Sequence, residues 1–73
     1  MKNKVREYRK KENISPENLA NIVGVSVSMI YQVERGEKDP SLKVAQKISK
    51  ALNRPTDKIF LGHLYTKSKQ NSA

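Results

Sequence analysis

The chain contains no cysteine. No disulfide framework and no cysteine-based zinc site can staple it, so a core must come from packing alone. Tryptophan is also missing, and one Phe and three Tyr are all the aromatics in 73 residues. No segment therefore carries the broad aromatic face of a helix lying on a membrane. No apolar run is long enough for a signal peptide or a membrane span, and with cysteine absent this points to the cytoplasm. The three glycines are scattered at turns and helix ends, which leaves no glycine-rich phosphate loop. The single histidine, His63, has no metal or catalytic partner at a useful spacing and is read as a linker residue. There is no Ser-His-Asp set and no pair of carboxylates in a cleft. An enzyme is therefore not expected, and neither a metal, a cofactor nor a small-molecule ligand is indicated. Acidic residues are scarce too: 7 Asp and Glu stand against 15 Lys and Arg, for a net charge of +8 and a pI near 10.0. That excess favours a polyanionic partner, nucleic acid first, an acidic protein second and an anionic membrane surface third. Charge alone also fits a small protein that uses Lys for solubility.

A chain of this length makes one small domain, and a compact helical bundle is its economical solution. Residues 3–12 have no Gly or Pro, and Val5 and Tyr8 share a face, which predicts a first helix ending near Glu12. Asn13 follows where a left-handed residue suits a helix end. Ser15-Pro16-Glu17 then supplies a cap, a first-position proline and an acid for the positive helix end. A second helix runs to Val23 with Leu19, Ala20, Ile22 and Val23 inward, stapled by Ile14 and stopped by Gly24. Ala20 is small enough to let the next helix cross closely. Ser26 caps a third helix through Arg35, with Ile30 and Val33 in the core, Val25 plugging the turn and Gly36 as terminator.

Residues 37–40 form a polar loop. Residues 41–52 form a fourth helix with Leu42, Ala45, Ile48 and Leu52 inward and Lys43, Lys47 and Lys50 outward. Asn53-Arg54-Pro55 breaks the chain. A short fifth helix, residues 56–61, brings Ile59 and Phe60 as the lid of the core. From Gly62 the chain turns polar, so the expectation is a domain over residues 1–61 and a flexible basic tail over 62–73. Residues 19–36 have the layout of a helix-turn-helix, in which the second helix lies in the major groove of DNA.

At these residues the chain resembles the phage-repressor-like, Cro-type (XRE) helix-turn-helix regulators of bacteria and their viruses. The match covers about Val5 to Leu61. It includes Arg6, Arg9, Leu19-Ala20, Gly24-Val25-Ser26, Ile30, Glu34-Arg35-Gly36, Pro40-Ser41-Leu42, Ala51-Leu52 and Ile59-Phe60. The resemblance implies an all-α five-helix bundle of the lambda-repressor-like kind, binding operator DNA as a symmetric dimer. By position, Val27, Ser28 and Gln32 match base-facing sites, with Met29 and Tyr31 nearby. Ser15 and Pro16 match backbone-contacting sites, and Arg9 and Glu34 match a pair tying the first helix to the third. Family members often carry Gln where Pro16 stands. Pro16 has no side-chain donor and no amide hydrogen, so the phosphate anchor passes to the Ser15 hydroxyl, the amides of Glu17 and Asn18, or Asn21.

Gln32 lies one turn beyond Ser28 and can bond adenine N6 and N7; its plainer reading is a solvated polar residue. Val27 fits a thymine methyl or an ordinary surface valine. Tyr31 fits a phosphate or the fourth helix, and Met29 fits either the second helix or DNA. Arg35, Lys38 and Lys43 are candidate phosphate clamps, as are the amides near Ser41. Phe60, Leu61, Leu64 and Tyr65 supply apolar surface for a dimer near the fifth helix. Double-stranded DNA and a second copy are thus the expected partners. Repression follows from the family and from the lack of a visible second domain. The competing reading is a protein-binding helical module, such as an antitoxin-like partner or coactivator, which would need a larger apolar patch on the third helix.

Overall fold

The computed structural model describes residues 2–61, and their regular structure is all helix, without strands. The order is α1 (Val5–Lys11), α2 (Pro16–Val23), α3 (Val27–Glu34), α4 (Leu42–Leu52) and α5 (Thr56–Ile59). The expected tail, 62–73, with His63, Leu64 and Tyr65, lies outside the described residues.

Serine hydroxyls open three of the helices. Ser15, Ser26 and Ser41 accept the amides of Asn18, Met29 and Val44 at 3.0, 3.1 and 3.2 Å, each satisfying a donor the helix itself cannot. A left-handed residue follows each of the five: Asn13 (φ 56), Gly24 (φ 84), Gly36 (φ 76), Asn53 (φ 57) and Leu61 (φ 57). After α3, Gly36 donates to the carbonyl of Val33 at 3.0 Å and Glu37 to that of Gln32 at 2.9 Å. Asn13 with Ile14, and Asn53 with Arg54, repeat the same paired bonds behind α1 and α4. This is the Schellman closure, and asparagine serves it because its short polar side chain tolerates αL. The first helix starts at Val5, two residues later than the sequence suggests. Asn3 stays outside it: its side chain accepts the Val5 amide at 3.1 Å and donates to the Val33 carbonyl at 2.7 Å. The N-terminus is thereby tied to α3, while the Lys4 amide reaches the Ile59 carbonyl at 2.7 Å.

The core comprises Val5, Leu19, Ala20, Val23, Ile30, Val33, Ala45, Ile48, Leu52, Ile59 and Phe60. Ala20 and Ala45 stand on α2 and α4, which pack together, and their small size allows close approach. Two expected core residues are outside: Ile22 is 56% and Leu42 51% exposed. On α2 the inward face centres on Leu19, Ala20 and Val23, and Ile22 falls roughly 100° away from it at 100° per residue. On α4 the face centres on Ala45, Ile48 and Leu52, and Leu42 sits at the open first turn, roughly 90° off. Pro40, just before the Ser41 cap, is buried instead. The fifth helix closes at Ile59 rather than Leu61, and Phe60 behind it is fully buried.

Candidate nucleic-acid interface

The site is the α2–turn–α3 unit. Gly24 reverses the chain in αL, Val25 packs against the core, and Ser26 restarts the helix. Ile30 and Val33 anchor α3 in the core. That registers Ser28, Tyr31 and Arg35 on the outer face, all exposed, with Gln32 half-buried beside them. Helical spacing dictates this, since positions 28, 31, 32 and 35 recur at three and four. Val27 and Met29 are half-buried against the core; Met29 thus takes its packing reading, whereas Val27 is packed more closely than either a thymine contact or an ordinary surface valine implied.

One cleft of about 490 Å³ is lined by Ser15, Glu17, Asn18, Ala20, Asn21, Val25 and Val27, between the start of α2 and the start of α3. It brings together three side chains expected to contact DNA, Ser15, Asn21 and Val27, with the backbone of Glu17 and Asn18 beside them. The Asn18 amide, expected as a phosphate donor in place of the missing Pro16 hydrogen, is taken by Ser15 Oγ. The Ser15 hydroxyl keeps its own proton to donate.

A second cleft, about 360 Å³, lies at the other end of α3 between Arg6, Arg9, Pro16, Tyr31, Glu34 and Arg35. Arg9 is 7% exposed. Its Nε donates to Glu34 Oε2 at 2.6 Å, its Nη2 to Oε1 at 3.4 Å and its Nη1 to the Ile14 carbonyl at 3.0 Å. The side chains retain only 9% and 4% of their exposure, so α1 and α3 are riveted by a buried, forked pair and Glu34 presents little free charge outward. Arg6 was not singled out as a contact residue. Yet it stands three positions before Arg9, so helical spacing already put both on one side of α1.

Arg35 is engaged as well. Its Nε and Nη2 donate to Glu37 Oε2 and Oε1 at 2.9 and 3.0 Å. The hydrogen bond from Arg35 holds the Glu37 carboxyl below the usual carboxylate range, and the same bond raises the guanidinium above its own. Lys38, Ser41 and Lys43 are exposed but line neither cleft. Of the residues expected at a dimer surface, Phe60 is withdrawn because it is fully buried, whereas Leu61 is 45% exposed. Among the described residues no three His, Cys, Asp or Glu gather to hold a metal ion, and no helix is long and apolar enough to cross a membrane.

A bundle of five helices with a capped, outward-facing helix behind a tight turn defines a helix-turn-helix protein. The chain belongs to the XRE-type helix-turn-helix family (HTH_3), whose model matches residues 5–59. It is 44% identical over 61 residues to an uncharacterized HTH-type transcriptional regulator of Methanocaldococcus jannaschii, covering 84% of this chain and 92% of the relative. A counterpart from Archaeoglobus fulgidus is 39% identical over 61 residues, covering 84% and 86%. Among solved structures, the restriction-modification controller protein C.AhdI from Aeromonas hydrophila superposes with a TM-score of 0.69 at 33% identity, covering 74% of this chain and 82% of that one. The family is one of transcriptional regulators, not of enzymes.

Proposed function

We propose that this chain is a sequence-specific double-stranded DNA-binding regulator, acting as a repressor. It binds a palindromic operator as a homodimer in the cytoplasm, with residues 1–61 as the DNA-binding unit. The observation that carries the reading is the outer face of α3. It is polar, free of unpaired acid, and bordered by Arg6 and Arg35 at one end and by the Ser15 hydroxyl at the other. A helix so presented enters a major groove while the groups at its ends meet the phosphate ridges. Ser28, Gln32 and the exposed part of Val27 are the base readers. Ser15, Asn21, Tyr31, Arg35, Lys38, Ser41 and Lys43 contact the backbone. Leu61 contributes to the dimer surface, with two recognition helices roughly 34 Å apart. Repression follows if the bound dimer blocks access to the DNA it covers. The protein-docking alternative lacks support on α3, where Val27 and Met29 are drawn into packing and Tyr31, 39% exposed, is the one large apolar side chain of that helix left open.

Selection of bound sequences from a random duplex pool tests the reading, and a palindromic consensus is the expected result. Gln32→Ala relaxes preference at one base position at a cost of about 1 to 3 kcal/mol. Lys43→Ala weakens all sequences alike and lowers the salt slope by about one. An unchanged consensus for Gln32→Ala removes that residue from the readers, and the absence of any enriched sequence removes the function.

A further inference from the structure

Gly36, at φ 76, folds the chain back behind α3, and the next side chain to emerge is Glu37. It meets Arg35, two positions earlier, with both oxygens on the Nε and Nη2 edge of the guanidinium. The partners keep 57% and 55% of their side-chain exposure, and an exposed pair of this kind adds little to folding stability. Its position is more telling. Arg35 borders the cleft lined by Arg6, Arg9, Pro16, Tyr31 and Glu34, and also a neighbouring cleft of about 390 Å³ lined by Lys2, Asn3, Glu34 and Gly36. With Arg9 neutralised by Glu34, the cations left to meet a polyanion here are Lys2, Arg6 and Arg35. Of these, Arg35 alone has a carboxylate seated in its fork.

A carboxylate and a phosphate present the same two-oxygen edge to arginine. One guanidinium cannot neutralise both at once, and the excess negative charge repels. We propose that Glu37 is a built-in stand-in for a DNA phosphate. It occupies the Arg35 fork in the free protein and is exchanged for the backbone when α3 docks, which weakens binding to every sequence by the same factor. The proposal rests on the DNA-binding reading above and adds to it a residue that opposes binding.

The test measures binding of the full chain to a mixed-sequence duplex by fluorescence anisotropy across a salt series. Glu37→Gln is expected to bind about two- to fivefold more tightly and to steepen the salt slope by up to about one. Placed in an Arg35→Gln background, the same change yields a smaller gain, because no guanidinium is released. An equal gain in both backgrounds overturns the proposal, since Glu37 then acts only as a distant charge. Weaker binding by Glu37→Gln overturns it too, since the carboxylate then positions Arg35 for DNA. Failure of the unaltered chain to bind the duplex at any salt removes the DNA-binding reading, and this proposal with it. Both substitutions lie at exposed positions, and circular dichroism of each variant is the check that it is folded.

Discussion

Arg9 shows how much one side chain organises. Among the described residues it is the one charged residue in the buried set, and its three donor contacts join α1, the α1–α2 connection and α3. Arg9→Met would leave the Glu34 carboxylate buried without its partner, a loss of about 3 kcal/mol or more. Arg9→Met with Glu34→Leu should recover part of that loss, because no lone charge remains. Urea denaturation of the two variants checks the order, and a double variant less stable than the single one would contradict it. The pairing of Arg9 with Glu34 followed from resemblance in the sequence. The Arg35–Glu37 fork did not, because i and i+2 side chains do not face each other on a helix. Only the left-handed Gly36 between them makes the contact.

At the scale of elements, stop signals decided the architecture. All five helices are followed by an αL residue, and at Gly24 the left-handed backbone (φ +84) leaves an added Cβ with nothing within 4 Å. Gly24→Ala is therefore expected to cost about 1 to 2 kcal/mol from backbone conformation alone, with no clash to relieve, and Gly24→Asn to cost less. Denaturation midpoints at unchanged m-value check this. Asn13, Gly24 and Gly36 were legible as terminators, and the serine caps as starts. The role of Asn53 was legible only as a break in the chain. What misled was the three-and-four rule at its edges. Ile22 and Leu42 satisfy the spacing, but whether a residue at the margin of an apolar stripe is covered depends on where the neighbouring helix lies. Tyr8 is another case: it shares a face with Val5 yet is half-buried, its ring under the Arg54 guanidinium at 4.8 Å. Arg54 in turn bonds Glu12 at 2.7 Å and the Leu52 carbonyl at 2.8 Å, closing the end of α4 onto the end of α1.

For the whole molecule, the net charge of +8 and the exposed α3 face lead to an expected stoichiometry. At saturation on a palindromic duplex, sedimentation should find two chains per duplex, with recognition helices one DNA turn apart. One chain per duplex at every concentration would remove the dimer. The order of helices, the serine-capped starts of α2, α3 and α4, the stops at Asn13, Gly24 and Gly36 and most of the core were determined by the sequence itself, because caps, αL residues and apolar periodicity act over three or four positions. Only the tertiary structure decided that Phe60 is core rather than contact surface, that Ile22 and Leu42 face water, that Arg6 joins Tyr31 and Arg35 around one cleft, and that Glu37 fills the Arg35 fork. Those outcomes depend on how separate helices cross and how a turn bends, and such long-range packing leaves no periodic trace along the chain.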